Sequence, residues 1–188
     1  MNPVLWITLI AIVGLLLIVI VSVISMYNKL VSARLKVETQ FSQIDVQLQK
    51  RADLIPNVVE TVKGYAAHEK ETLSGLVEAR TKYMSASTPE GRLEASQEMS
   101  SGLGRLFAVA EAYPDLKANT NFLDLQRQLA DIEEKIAKYR QFYNDTVMMY
   151  HRLRELFPSS IVASVFHFEP KTFFEAEQAS KAVPKVSF

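Results

Sequence analysis

Three histidines and a few adjacent carboxylates are the side chains whose type and spacing could do chemistry. His68-Glu69-Lys70-Glu71-Thr72 opens like a metalloprotease helix, in which two His one turn apart hold zinc and the Glu between them acts as base. Position 72 is Thr, so the second ligand is missing and His68 reads as a surface or capping residue. His151 and His167 stand apart from one another, without the carboxylate spacing of a ligand set. Glu133 and Glu134 resemble a carboxylate pair, but adjacent helix positions point apart and cannot share a proton. The Glu-x-x-His of di-iron bundles fails at Glu69, followed by Thr72, and at Glu155, followed by Pro158. Gly102 and Gly104 lack the third Gly, or the Lys-Ser/Thr, of a phosphate-binding loop. Cysteine is absent, which excludes disulfides, thiol catalysis and thiolate metal sites. The expectation is no enzyme: no catalytic, metal-ligating or cofactor-binding residue, and no cofactor.

What remains is recognition. Asp53-Leu-Ile-Pro56-Asn57 and Tyr113-Pro-Asp115-Leu-Lys117-Ala-Asn119 place Pro, Asp and Asn at a kink and a loop. A structural reading has Pro breaking the helix while Asp and Asn cap free amides. The functional reading makes Asp53, Pro56, Asn57, Tyr113, Asp115, Lys117 and Asn119 a docking surface, because loops on rigid scaffolds often carry recognition. Val186-Ser187-Phe188 adds an apolar-x-apolar ending of the form that strand-addition pockets capture, which makes Phe188 a further candidate contact.

These residues need elements to hold them. From Asn2 to Asn28 there is no ionisable side chain, and Val4 to Met26 is almost purely apolar. As a helix this run spans roughly 34 Å, against a hydrocarbon core of about 30 Å. Trp6 and Tyr27 sit near its ends, where amphipathic rings prefer to lie. A cleaved secretory signal would want a basic start and a shorter apolar stretch, so the expectation is a single-pass anchor in the bilayer. No Lys or Arg precedes Lys29, whereas Lys29, Arg34 and Lys36 follow the span closely. The positive-inside rule then predicts a short external N-terminus and a cytoplasmic C-terminal domain at the cell (inner) membrane.

Beyond the anchor, Val37, Phe41, Ile44, Leu48, Ile55, Val58, Val62 and Tyr65 keep a helical seam, with Arg51 in the one missing seam position. Pro56 interrupts this stripe and predicts a kink or brief restart, with the helix resuming through Leu73, Leu76 and Val77 to about Met84. Thr88 and Pro89 read as N-cap and first position of the next helix, which carries Leu93, Met99, Leu103, Leu106, Ala110 and Tyr113 on one side. Asn119 or Asn121 then caps a long helix whose seam runs from Phe122 to Phe157. Past Pro158 the pattern predicts a short helix and an extended segment packing on the bundle end, then helix near Glu175 to Lys181 and a tail from Pro184. No run of strands is evident. The fold expected is all-α: a transmembrane helix followed by an elongated antiparallel helical bundle of about four helices, the first long and kinked. Its divisions are residues 1–28 as anchor, 29–158 as bundle and 159–188 as C-terminal segment and tail.

Several stretches resemble the LemA family: Tyr27-Asn-Lys-Leu-Val-Ser-Ala-Arg34, Phe41-Ser-Gln-Ile-Asp-Val-Gln-Leu48, Arg51-Ala-Asp-Leu-Ile-Pro-Asn57, Thr61-Val-Lys-Gly-Tyr-Ala-Ala-His-Glu69, Tyr113 to Phe122, Tyr143-Asn144 and the ending from Phe173 to Phe188. Where members carry Trp before the Ser-Gln-Ile-Asp run, this chain has Phe41, an aromatic exchange that a core tolerates. The resemblance covers nearly the whole chain and implies a bacterial membrane protein with one N-terminal anchor and a helical bundle. It implies no reaction and hands over no catalytic residue.

Charge narrows the partners. Of 188 residues, 21 are Lys or Arg and 21 are Asp or Glu, so the net charge is zero and leaves no footprint for nucleic acid. The expected function is a membrane-anchored scaffold or adaptor that binds another protein or self-assembles as a homo-oligomer. The rival expectation is a ligand-binding or enzymatic bundle in which scattered residues such as Tyr65, Arg80, Tyr139, Arg140 and Tyr143 meet.

Overall fold

The structure, a computed structural model, describes residues 3–66 and 68–174. It is all-α, a long apolar N-terminal helix followed by packed helices that form a bundle. The described helices are α1 (Pro3–Lys63), α2 (Lys70–Ser85), α3 (Pro89–Ala110), α4 (Pro114–Lys117), α5 (Thr120–Glu155) and α6 (Ser159–Val165). No strand occurs among the described residues. Phe188, the helix expected near Glu175 to Lys181 and the tail from Pro184 lie outside them.

The apolar run is the first part of α1, and among the described residues its large side chains from Val4 to Ile20 are exposed. An 18-residue stretch of this helix is apolar enough to cross a membrane and none of it is buried. A greasy helix with no protein around it has only lipid in which to bury itself.

Of the kink or brief restart expected at Pro56, the restart does not occur: Pro56 does not divide α1. The helix runs through it and ends at Lys63 instead, and the connection is Gly64 to Glu69. Proline removes the N–H that would bond to the carbonyl one turn back, here that of Ala52. Arg80 of α2 supplies the missing donor: its Nε donates to the Ala52 oxygen at 2.8 Å. With that acceptor satisfied, the exposed ring of Pro56 is tolerated. Gly64, a poor helix former, is followed by amides of Tyr65 and Ala66 that both donate to Val62, which closes the last turn.

The chain packs as two compact units. One comprises Gln43–Tyr139 among the described residues. Ile44, Leu48, Ile55 and Val58 of α1 are buried here, with Leu73 and Leu76 of α2, Met99 and Leu106 of α3 and Phe122, Leu129 and Ile136 of α5. Val77, expected on the seam of α2, is exposed. Gly102 earns its place by allowing close approach: a Cβ there would lie 3.1 Å from Leu76 Cδ1. Thr88 caps α3 as expected, accepting from the Gly91 amide at 3.1 Å, and Asn119 caps α5 by accepting from Phe122 at 3.0 Å.

The other unit comprises residues 3–42 and Arg140–Phe174 among the described residues. Leu30 and Val37 of α1 are buried in it with Tyr143, Val147 and Tyr150 of α5, Val162 of α6 and Phe168. The long helix ends at Glu155, and Phe157, expected on its seam, is 80% exposed. Beyond α6, His167 adopts a left-handed φ of 52°. It stands where Gly usually ends a helix: the amides of His167 and Phe168 donate back to Ser164 and Ala163 at 3.2 and 2.9 Å. This reversal turns the chain, so that segment 168–174 runs back along α5 from Arg154 to Tyr143.

Candidate functional site

In the unit of Gln43–Tyr139 the unusual group is Arg51, which is 1% exposed. An isolated buried cation is costly and survives only with close partners. Its Nη1 donates to Glu133 Oε1 of α5 at 2.6 Å and to Ser100 Oγ of α3 at 2.8 Å. Its Nη2 donates to both the carbonyl and the hydroxyl oxygen of Ser96, at 2.8 and 2.6 Å. One guanidinium therefore ties α1, α3 and α5 together. Glu133 is 44% exposed, so the pair has one end in the core and the other near solvent. Arg51 Nε and the nearby core amide Gln47, through Oε1, are buried without a hydrogen-bond partner.

Two turns earlier on α1, Asp45 gathers a second knot. Tyr83 of α2 donates to its Oδ1 at 3.0 Å, and Arg92 of α3 forms an ion pair with its other oxygen. Burial, then the bond to Asp45, holds the Tyr83 hydroxyl well above its ordinary pKa, so it stays a neutral donor.

The candidate docking residues occupy separate places. Asp53 is exposed and accepts from Gln49 at 2.9 Å, one turn back on α1. Pro56 and Asn57 are exposed on the same helix. Tyr113 donates to Glu69 at 3.2 Å, and that bond is the main cause of its raised pKa. Asn119 caps α5 and donates its side-chain amide to the Tyr65 hydroxyl at 2.8 Å. Lys117 is ion-paired with Glu111, and Asp115 is exposed in the first turn of α4. Tyr113 and Asn119 thus join the α3–α5 connection to the turn between α1 and α2, a contact that the sequence did not suggest. The structural bonds and the exposed groups coexist in one segment.

In the unit that contains the apolar run, the extended segment is clipped to α5 by side chains at helical spacing. Asn144 makes a two-way bond with Phe174, donating to its carbonyl at 3.0 Å and accepting from its amide at 2.9 Å. Tyr143 donates to the Thr172 carbonyl at 2.9 Å, Tyr150 to Glu169 at 2.7 Å and Arg154 to Phe168 at 3.0 Å. His151 Nε2 sits 2.8 Å from the carbonyl oxygen of Lys171. An extended segment beside a helix has no neighbouring backbone to pair with, and these side chains take that role. Burial raises the Tyr150 pKa and keeps this donor protonated.

Chemically, the arrangement holds elements together. Glu69, Asp45, Glu133 and His151 each engage a partner on another element. Four of the five residues of the rival enzymatic reading, all but Tyr139, are engaged separately: Tyr65 with Asn119, Arg80 with Ala52, Tyr143 with Thr172, and Arg140 over the ring of Phe174 at 5.4 Å. Between α2 and α3 an open groove of about 460 Å³ has Lys82 among its lining residues, bonded to Glu98 at 2.9 Å and to Glu78 at 3.5 Å. No group of three or more His, Asp or Glu able to hold a metal occurs among the described residues.

Sequence reasoning passed over Arg51 as a gap in an apolar seam. The signal was present: a lone Arg between Leu48 and Ile55 demands a carboxylate, and Glu133 follows the buried Ile132 on the longest soluble helix.

The magnetosome protein MamQ 2 of Paramagnetospirillum magneticum is 24% identical over 186 residues, covering 85% of this chain and 68% of that protein. MamQ of Magnetospirillum gryphiswaldense is 23% identical with the same coverage. Protein LemA of Metamycoplasma hominis is 23% identical over 155 residues, covering 82% of this chain and 71% of its own. The LemA family model matches residues 40–188, which begins within α1, past the apolar run, and takes in every later described helix. With its apolar first helix and that match over most of its length, this membrane-associated helical protein belongs to the LemA family.

Proposed function

We propose that the chain is a non-enzymatic scaffold or adaptor, held at the membrane by residues 1–28. Its helical body, residues 29–158 with the C-terminal segment 159–188, binds another protein or further copies of itself. The observation that carries this reading is the use made of the polar interior: Arg51, with every partner it has, serves to bind three helices together. A rigid body whose reactive groups are spent on its own packing suits presentation of a surface. The MamQ relatives are named for a cellular structure, the magnetosome, and not for a reaction, which supports a structural role.

The docking surface would draw on the exposed groups Asp53, Pro56 and Asn57 of α1 and Asp115 and Lys117 of α4, with Tyr113 and Asn119 holding the latter segment in place. Phe188 is a further candidate at the C-terminus. The basic residues that follow the apolar run favour a cytoplasmic body at the inner membrane, with the N-terminus outside. Tethering concentrates partners in the plane of the membrane.

Photo-cross-linking amino acids placed at Asp53, Asn57 and Asp115 of the full-length chain test the surface in intact cells. Adducts at twice the chain mass mark self-assembly, and larger ones mark a partner. Absence of any adduct, with only monomer after gentle detergent extraction, sinks the reading. A lone Cys in place of Ser87 tests orientation, because labelling by an impermeant maleimide without lysis puts the body outside.

A further inference from the structure

From Leu156 to Phe166 the chain carries no charged side chain, and this stretch turns from α5 into α6 with its large apolar groups outward. Phe157 is 80% exposed, and Leu156, Ile161, Val165 and Phe166 are exposed with it. Single exposed apolar residues need no explanation, whereas a cluster of them on one corner marks a surface that meets something apolar.

The position of the corner within its own unit says what. Phe41 of α1 meets Tyr143 of α5 at 6.2 Å between ring centroids, whereas Leu153, much further along α5, lines a groove with Val21 and Ile24. The later helix therefore descends beside α1 toward the apolar run. Leu156 and Phe157 follow directly on the last residue of α5, Glu155, three to four residues beyond Leu153. Past the corner, Phe166 rests edge-on against Tyr27 at 4.9 Å, at the point where the apolar run ends. Charged groups collar this level: Lys29 follows the run on α1, and the last turn of α5 carries Arg152 together with Arg154 and Glu155, which lie 3.8 Å apart while Arg154 also bonds the Phe168 carbonyl. Long basic side chains at such a level reach back to headgroups while their stems stay in apolar surroundings.

The backbone of the corner also suits lipid, which offers no hydrogen bonds. Pro158 has no N–H, the Leu156 amide donates to Arg152 at 3.0 Å, and that of Ser160 to Leu156 at 2.8 Å. The exit from α6 is closed by the bond from Phe168 to Ala163 at 2.9 Å.

We propose that the α5–α6 corner is a second membrane contact, which sinks Leu156, Phe157, Ile161, Val165 and Phe166 into the leaflet from which α1 emerges. The chain then holds the bilayer by a spanning helix and by an interfacial foot beside it. The continuity of the patch with the apolar run, and the cations Lys29 and Arg152 at its border, favour lipid over a second copy or another protein as its cover. This rests on α1 spanning the bilayer.

The test uses the full-length chain in vesicles of phosphatidylcholine and phosphatidylglycerol, with or without bromine on the acyl chains. The native Trp6 is replaced by Phe, and single Trp probes are introduced as Phe157→Trp or Val165→Trp at the corner, Leu16→Trp in the anchor and Val77→Trp on α2. The corner probes should lose roughly half their emission to brominated lipid, as groups seated about 5–10 Å into the interface do, while the Val77→Trp probe is unmoved. Quenching at Leu16→Trp without quenching at either corner probe overturns the foot and leaves the anchor standing. Blue-shifted corner emission that ignores bromine means protein cover and overturns it equally. An unquenched Leu16→Trp probe overturns the spanning helix, and the foot with it.

Discussion

Arg80 of α2 donates its Nε–H to the carbonyl of Ala52 at 2.8 Å, the acceptor that Pro56 leaves without a helical partner. A side chain from one helix thereby completes the hydrogen-bond ladder of another, and the proline becomes a docking point between α1 and α2.

The two residues should therefore be thermodynamically coupled. Arg80→Met is expected to cost about 1–2 kcal/mol in the native background, because it strands a carbonyl. In a Pro56→Ala background, where Ala restores the helical donor, the same change should cost clearly less. Guanidinium unfolding of the full chain in detergent, followed by circular dichroism, measures the cycle, and equal costs in both backgrounds would refute the coupling.

Arg51 and Glu133 should respond unequally to truncation. Arg51→Ala removes the link among three helices and leaves polar hydroxyls of Ser96 and Ser100 facing a void, an expected loss of about 3 kcal/mol. Glu133→Gln keeps a hydrogen-bond acceptor beside the guanidinium and should lose only about 1 kcal/mol, given how far that carboxylate reaches toward solvent. The same unfolding experiment ranks them; a reversed order would show that Arg51 is not the organising group.

Alkaline pH should find Tyr83. Its pKa is raised above the ordinary 10.0 in the folded chain, first by burial and then by the bond to Asp45. The stabilisation from the protonated hydroxyl is thus complete below pH 10 and falls as pH climbs from there toward the folded value. Tyr83→Phe cannot ionise, so its stability should decline less steeply above pH 10, despite a neutral-pH loss of about 1 kcal/mol from the missing bond. Parallel alkaline limbs for the two proteins would exclude this residue as a cause.

Asn144 should control the extended segment. Asn144→Ala deletes both bonds to the Phe174 backbone and is expected to speed amide exchange there about tenfold, as loss of ~1–2 kcal/mol of local protection implies. Hydrogen exchange read by mass spectrometry on peptides covering 168–174 checks it, with the core of α5 as an unaffected reference.

Helix identity was largely legible because period and caps are local properties. The apolar run, the Thr88 cap with Pro89 behind it, and the long seam from Phe122 to Tyr150 all follow from neighbours within a few residues. Helix ends were less legible. Pro56 read as a kink or brief restart because it lacks an N–H, but Arg80, remote in sequence, satisfies the acceptor it leaves, and the helix ends at Lys63. Phe157 extended the seam pattern on paper, yet Pro158 had already turned the chain and left that ring outward. Of the polar residues singled out, Asn119 as a cap was readable from local rules, whereas its bond to Tyr65 was not.

By itself the sequence determined that this is an all-helical chain with a front end too apolar for water and no catalytic or metal-binding signature in its motifs. Those are consequences of composition and short-range periodicity. Only the tertiary structure decided which polar groups meet: Arg51 with Glu133, Tyr83 with Asp45, Asn144 with Phe174, Arg80 with Ala52. Such pairs join residues tens of positions apart, and their cost of desolvation is recovered only when packing sets donor against acceptor within about 3 Å.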